Sequence, residues 1–230
     1  MIDIFLNEII LLNLNMISHT EENYLKALFA LNQNSEGASI KALSKHLNIK
    51  MPTVNSMMKR LAEKGFVIYE SYKPIRLTDL GKKKSALIIR KHRLAEMYLV
   101  EKMGFGWDEV HAIAEQLEHI QSEKFFQKMD FLLGFPETDP HGSPIPTVEG
   151  EMPEMDHKKL SDCGVGERLV LTAVSDSSEE FLQFLTDKSL GIGTEMQVLF
   201  IEKFDGSMTI LVDDQEKTFS KVVSEKILVS

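Results

Sequence analysis

Residues 134–157, GFPETDPHGSPIPTVEGEMPEMDH, gather Pro136, Pro140, Pro144, Pro146 and Pro153 with glycine and acidic residues and show no hydrophobic period. Neither a regular helix nor a strand runs through such a stretch, because proline lacks the N–H donor and fixes its own φ. The chain is therefore cut there. Before the cut the apolar residues recur at helical spacing; after it, ERLVLTAVS, EMQVLFIE and SMTILVD read as strands, with a helical SEEFLQFLTDKSLG inserted and FDGS as a turn. The expected fold is mainly α with a small, barrel-like β domain at its C-terminal end.

Within the α part, SHTEENYLKALFALNQ places Tyr24, Leu25, Leu28, Phe29 and Leu31 on a helical period, with Ser18 or Thr20 as N-cap. A short helix is expected over 40–47, a turn at Asn48 and Ile49, and a second helix over 52–64 that opens on Pro52 and stops before Gly65. FVIYESY and IRLTDLG, separated by Lys73 and Pro74, then form a hairpin. Helix, turn, helix and hairpin make a winged helix-turn-helix. Long helical stretches follow over 80–103 and 108–133, joined by GFGW.

Charge supports that reading. The chain's formal net charge is −9, which by itself argues against a polyanionic partner. Residues 38–93, however, hold 14 Lys or Arg against Glu63, Glu70 and Asp79, a local +11 that leaves −20 for the rest. One segment faces an anion and the other avoids it or holds cations. In a helix-turn-helix the start of the second helix meets base edges. Here Pro52, Thr53, Asn55 and Ser56 form that start, Val54, Met57 and Leu61 take the core period, and Lys50, Lys59 and Arg60 flank it, with Lys73 and Arg76 on the hairpin. An isolated PTVNS could simply decorate a solvated helix; the helix order, the hairpin and the local charge together point to double-stranded DNA.

A second pattern lies on the following helices. His92 and Glu96 are four apart, and His111, Glu115, Glu118 and His119 stand at i, i+4, i+7 and i+8, so each set shares a helix face. Imidazole with carboxylate suits manganese, iron(II) or zinc. Such a face could be mere surface charge, but exposed helices seldom need histidine, since Lys and Glu serve solubility better. His19, His46, His141 and His157 show no comparable grouping.

Other classes are weighed in the same terms. The single cysteine, Cys163, excludes an internal disulfide framework and a cysteine-built zinc finger and suits a reducing, cytoplasmic setting. Residues 1–17 read as an N-terminal extension; Asp3 and Glu8 interrupt its apolar run, which is too short to span a membrane. A metallohydrolase would use similar ligands, yet HExxH, a phosphate loop and a nucleophile elbow are absent from the sequence. A winged-helix regulator that answers to a small organic ligand is the remaining rival, and the β domain could serve as an interaction module.

RKHRLAE together with HxxxExxEH resembles the diphtheria toxin repressor family of metal-dependent regulators, over residues 18 to the chain end. The resemblance implies a DNA-binding domain over 18–79, a helical dimerisation and metal-binding domain over 80–135, a linker over 136–157 and an SH3-like β domain over 158–230. It implies a homodimer acting on operator DNA, one metal centre from His92, Glu96 and His111, and another from Glu115, Glu118 and His119 completed by Asn23 of the first helix. Metal would fix how the two reading heads of the dimer are spaced. Asn23 and Lys26 depart from the manganese branch, whereas Glu115 stands where the iron branch has cysteine, so Mn2+ is favoured with Fe2+ and Zn2+ as alternatives. Arg93 matches an anion-binding arginine, and Asp176 and Glu179 correspond loosely to a pair that reaches back to the His92 centre.

Overall fold

The computed structural model describes residues 17–32 and 37–230, so the expected N-terminal extension lies almost wholly outside the described residues. The chain divides into two compact units, one of Met1–Lys91 with Pro146–Met152 and the other of His92–Ile145 with Pro153–Ser230.

The first unit opens with α1 (His19–Leu31). Ser18 caps it: its hydroxyl accepts from the Glu21 N–H while the Glu21 side chain accepts from the Ser18 N–H, a reciprocal capping box. Helix α2 (Ile40–Leu47) is capped by Ser39 and ends at Asn48 in the left-handed conformation, φ 54°. That residue makes the sharp turn into α3 (Met51–Glu63), which has Pro52 in its first turn. The fully buried residues of α3 are Val54, Met58 and Leu61, an i, i+4, i+7 stripe; Met57, expected in the core, is only half-buried. Strands β1 (Val67–Ile68) and β2 (Arg76–Leu77) pair antiparallel as the wing, and an isolated bridge joins Ala38 to Ile75. Tyr24, Leu25, Leu28, Leu43, Val54, Met58, Leu61, Ile75 and Ile88 fill the core of this unit. Each fully buried aliphatic side chain of this kind contributes about 1.5–3 kcal/mol.

Helix α4 (Asp79–Met103) begins on Thr78, whose hydroxyl accepts from the Gly81 N–H at 3.0 Å. A Cβ on Gly81 would lie 2.0 Å from the Phe66 carbonyl oxygen, so only glycine lets the helix start this close to the wing. The helix runs past Lys91 and carries His92, Arg93 and Glu96.

In the second unit, the continuous helix expected over 108–133 is two helices, α5 (His111–Leu117) and α6 (Glu123–Leu133). The break is local chemistry: Ser122 takes an extended conformation and its side chain accepts from the Phe125 N–H, restarting the helix. Leu94, Ala95, Ala114, Phe126, Met129 and Ile145 form the core there. The segment expected as a featureless linker is ordered in part: Thr138 bridges Pro144, and Asp139 Oδ1 accepts from the N–H groups of His141 (2.8 Å) and Ser143 (2.9 Å).

The C-terminal part is a six-stranded antiparallel sheet, β3 (Lys158–Lys159), β4 (Arg168–Val174), β5 (Glu195–Ile201), β6 (Met208–Val212), β7 (Gln215–Phe219) and β8 (Ile227–Val229), in the order β3-β8-β4-β5-β6-β7. Helix α7 (Glu179–Asp187) lies between β4 and β5, and a single turn, α8 (Lys221–Ser224), precedes β8. Phe181, Leu182 and Leu185 of α7 join Leu171, Val198, Ile210, Phe219 and Val229 of the sheet in one core. Strands β3, β7 and β8 were not foreseen; KK is two exposed residues, QEKTF carries a single buried residue, Phe219, and ILV is three residues long. Among the described residues no helix is long and apolar enough to cross a membrane.

Candidate metal centre and nucleic-acid interface

The four-residue spacing on α4 brings His92 and Glu96 together, with His92 Nε2 2.9 Å from Glu96 Oε1. His111, the first residue of α5, completes the group: its Nδ1 stands 3.2 Å from both His92 Nε2 and Glu96 Oε1. Donor atoms bound to one ion at about 2.1 Å and at right angles to each other stand about 3 Å apart. The three separations therefore match one face of a single coordination sphere, and the donor set fits a divalent cation.

Burial shapes this site. Glu96 and Glu118 are enclosed, while the His111 side chain is 53% exposed and marks the solvent side. Burial pushes the Glu96 carboxyl upward in pKa, but hydrogen bonds from His111 and His92 and the charge of His141 outweigh it and hold the group ionised, well below the usual carboxylate range. On its other nitrogen, His92 Nδ1 meets Glu118 Oε2 at 2.6 Å. A carboxylate on the second ring nitrogen fixes the tautomer and orientation that present Nε2 toward Glu96 and His111 as a ligand atom.

The second expected set is continuous with the first. Glu118 shares its carboxylate between His92 and His119, whose Nε2 lies 3.9 Å from Oε1, and Glu115 approaches His111 Nε2 at 3.6 Å. His92, Glu115 and Glu118 form a second ligand group whose donor atoms lie within 4.8 Å of one another. Asn23 lies on α1 in the other unit; its Oδ1 is buried without a hydrogen-bond partner among the described residues, so a carbonyl ligand atom is available there.

A third group was missed. Glu96, Asp139 and His141 are all buried, with His141 Nδ1 3.8 Å from Glu96 Oε2 and 3.9 Å from Asp139 Oδ1. His141, set aside as ungrouped, thus belongs to the cluster. Gly142 permits it: with φ +80° and a Cβ position 2.0 Å from the Thr172 carbonyl oxygen, it lets the turn lie on β4, where the His141 carbonyl accepts from the Val174 N–H. The signal in the sequence is DPHG itself, an Asp that accepts from backbone N–H groups two and four residues on, with His and a required Gly inside the turn. His141 Nε2 hydrogen-bonds the Trp107 carbonyl at 2.7 Å, and the Trp107 indole donates to Thr186 Oγ1 at 2.9 Å.

Three more candidate residues meet partners within the chain. Arg93 takes its negative partner from within the chain, with Nε 3.4 Å from Asp139 Oδ2 and a hydrogen bond to the Pro144 carbonyl. Burial raises the Asp139 pKa, the Glu96 charge adds to it, and Arg93 and His141 oppose it. Asp176 is paired with Lys226 at 2.5 Å and Glu179 accepts from Gln183 at 3.2 Å, so neither joins the ligand groups.

On the first unit, Lys50, Pro52, Thr53, Ser56 and Lys59 are exposed along the start of α3, as are Lys73 and Arg76 on the wing. Asn55 is half-buried, Arg60 is drawn to Glu21 at 2.9 Å and Lys73 to Glu70 at 2.5 Å.

Residues 16–75 match the iron dependent repressor N-terminal DNA binding domain, residues 78–147 match the iron dependent repressor metal binding and dimerisation domain, and residues 158–230 match the FeoA domain. A solved manganese-dependent transcriptional repressor in complex with manganese superposes with a TM-score of 0.81 at 30% identity, covering 91% of this chain and 98% of that one. The chain belongs to the iron-dependent repressor family. The iron-dependent repressor IdeR of Mycobacterium tuberculosis is 32% identical over 133 residues, 58% of this chain and 58% of that protein, so the match spans little more than half of that relative. The diphtheria toxin repressor of Corynebacterium glutamicum is 28% identical over 212 residues, 85% of this chain and 92% of its own. The family is one of transcriptional repressors, which removes the metallohydrolase reading, and the C-terminal sheet is its FeoA, SH3-like domain. Its relatives' names divide between iron and manganese.

Proposed function

We propose that this family member is a metal-activated transcriptional repressor that binds double-stranded operator DNA as a homodimer and serves manganese or iron homeostasis in the cytoplasm. One observation carries the metal half of this reading: His92 Nε2, Glu96 Oε1 and His111 Nδ1 stand 2.9–3.2 Å apart, the spacing of donors on one ion. His92, Glu96 and His111 hold that ion, Glu118 orients His92, and Glu115, His119 and the Asn23 oxygen are the further ligands. The bound ion supplies cross-linking charge that ties α4 to α5. The donors are imidazole nitrogens and oxygens with no thiolate, a set open to Mn2+, Fe2+ and Zn2+, and the hard carboxylate of Glu115 is what tilts the reading toward Mn2+.

Thr53, Asn55 and Ser56 meet base edges, and Lys50, Lys59, Arg60, Lys73 and Arg76 meet phosphates. The proposed domains are 18–79, 80–135, 136–157 and 158–230. Phe125, Phe131, Leu132 and Phe135 are 40–65% exposed at α6 and its end, an apolar face suited to a second copy of the chain. Calorimetric titration of chelated protein with Mn2+ tests the centre: His111→Ala lowers affinity by at least tenfold together with metal-dependent DNA retention. Unchanged affinity and retention in that variant would return these side chains to surface charge.

A further inference from the structure

A polar contact joins the wing to the recognition helix, where the Tyr69 hydroxyl donates to Asn55 Oδ1. Tyr69 follows β1, is half-buried and packs against the core of its unit, so the fold of the wing sets where its hydroxyl stands. Both residues line a cleft of about 690 Å3 shared with Pro52, Lys59, Tyr72 and Lys73. Tyr72 stands at the wing tip with φ 67° and its side chain wholly exposed.

An asparagine amide has an accepting edge and a donating edge, and a free one turns either way. Its bidentate pairing with adenine uses both, accepting from N6 while donating to N7. Tyr69 biases that choice: Oδ1 can still accept a second bond, but with that oxygen turned to the wing hydroxyl the edge turned away from it carries Nδ2, a donor. Guanine offers such a donor two adjacent acceptors, N7 and O6, whereas adenine offers N7 beside its own N6 donor, thymine offers O4 alone and cytosine a donor only. We propose that Tyr69 is a positioning residue that sets Asn55 to read an acceptor edge, so that each half-site carries one base pair at which guanine is preferred to adenine. This rests on the reading of α3 as the helix that enters the major groove.

The test is selection of metal-loaded full-chain protein on a randomised duplex pool, with sequencing of the bound fraction and affinity for a scrambled duplex at matched salt as control. The wild type is expected to favour guanine over adenine about tenfold at one position in each half-site. In Tyr69→Phe, which keeps the ring and its packing, that preference collapses or passes to adenine, while affinity for the scrambled duplex stays within about threefold. Asn55→Ala flattens the same position, and the double variant does no more. A Tyr69→Phe profile identical to wild type, with Asn55→Ala altered, overturns the positioning role alone. If Asn55→Ala also leaves every position unchanged, the recognition-helix reading falls with it.

Discussion

At the scale of single residues, buried charge is placed where a partner is waiting. Glu21 is fully enclosed beneath the helix-turn-helix, with Lys64 Nζ at 2.8 Å and Arg60 Nε at 2.9 Å from its Oε1 and the Ser18 N–H at 2.8 Å from its Oε2. Burial pulls its pKa up, but Lys64 and Ser18 together pull it further down, so the folded value lies below the unfolded one. A carboxylate depressed in the native state stabilises above its unfolded pKa, about 4.3, and loses that contribution as pH falls through the folded value. Glu21→Gln is therefore expected to cost about 1–2 kcal/mol at pH 7. Urea unfolding followed from pH 7 down to pH 3 checks this: the deficit holds to about pH 5 and then narrows. A deficit of the same size at every pH would show that packing, not charge, is what Glu21 contributes. The candidate metal ligands were legible at this scale because helical spacing alone assembles His92 with Glu96 and His111 with Glu115. Asp139 and His141 were not, since a turn some 45 residues along the chain brings them to Glu96, and no local period records that contact.

At the scale of elements, the boundaries that side chains write into the backbone were readable. Ser18, Ser39, Asn48, Pro52 and Gly65 each act through their own φ or their own hydrogen bond, and each stands where the helix ends do. What escaped depends on context. Ser122 breaks a run that is otherwise helical, and β7 is an edge strand that buries Phe219 alone and so shows no apolar alternation. The phase of α3 is also a matter of packing, since Met57 and Met58 are chemically equal and only the neighbouring helices choose Met58 for the core. Helix α6 leaves apolar area uncovered, with Phe131 63% and Leu132 52% exposed beside Phe135. If that face pairs two copies, Phe131→Glu weakens the dimer by at least tenfold, about 1.4 kcal/mol, in sedimentation equilibrium. A wild-type chain that stays monomeric at every concentration, or a variant that dimerises equally well, contradicts the assignment.

At the scale of the whole molecule, function requires that metal occupancy change the DNA affinity of a chain whose basic segment and ligand cluster share one helix. Asp79–Met103 starts against the wing at Gly81 and carries His92 and Glu96 twelve and sixteen residues after Asp79's neighbour Leu80. The linkage is reciprocal: an ion that favours the DNA-competent arrangement binds more tightly when operator is present, and the shift is bounded by its differential affinity for the two arrangements. The most direct measurement is fluorescence anisotropy of a duplex recovered by selection, titrated with chelated protein at fixed salt and then with Mn2+ or, anaerobically, Fe2+. Weak binding is expected without metal, with a gain of at least a hundredfold on adding Mn2+ that exceeds the gain with Fe2+ and is lost in Glu118→Ala. Equal binding with and without metal would contradict metal activation.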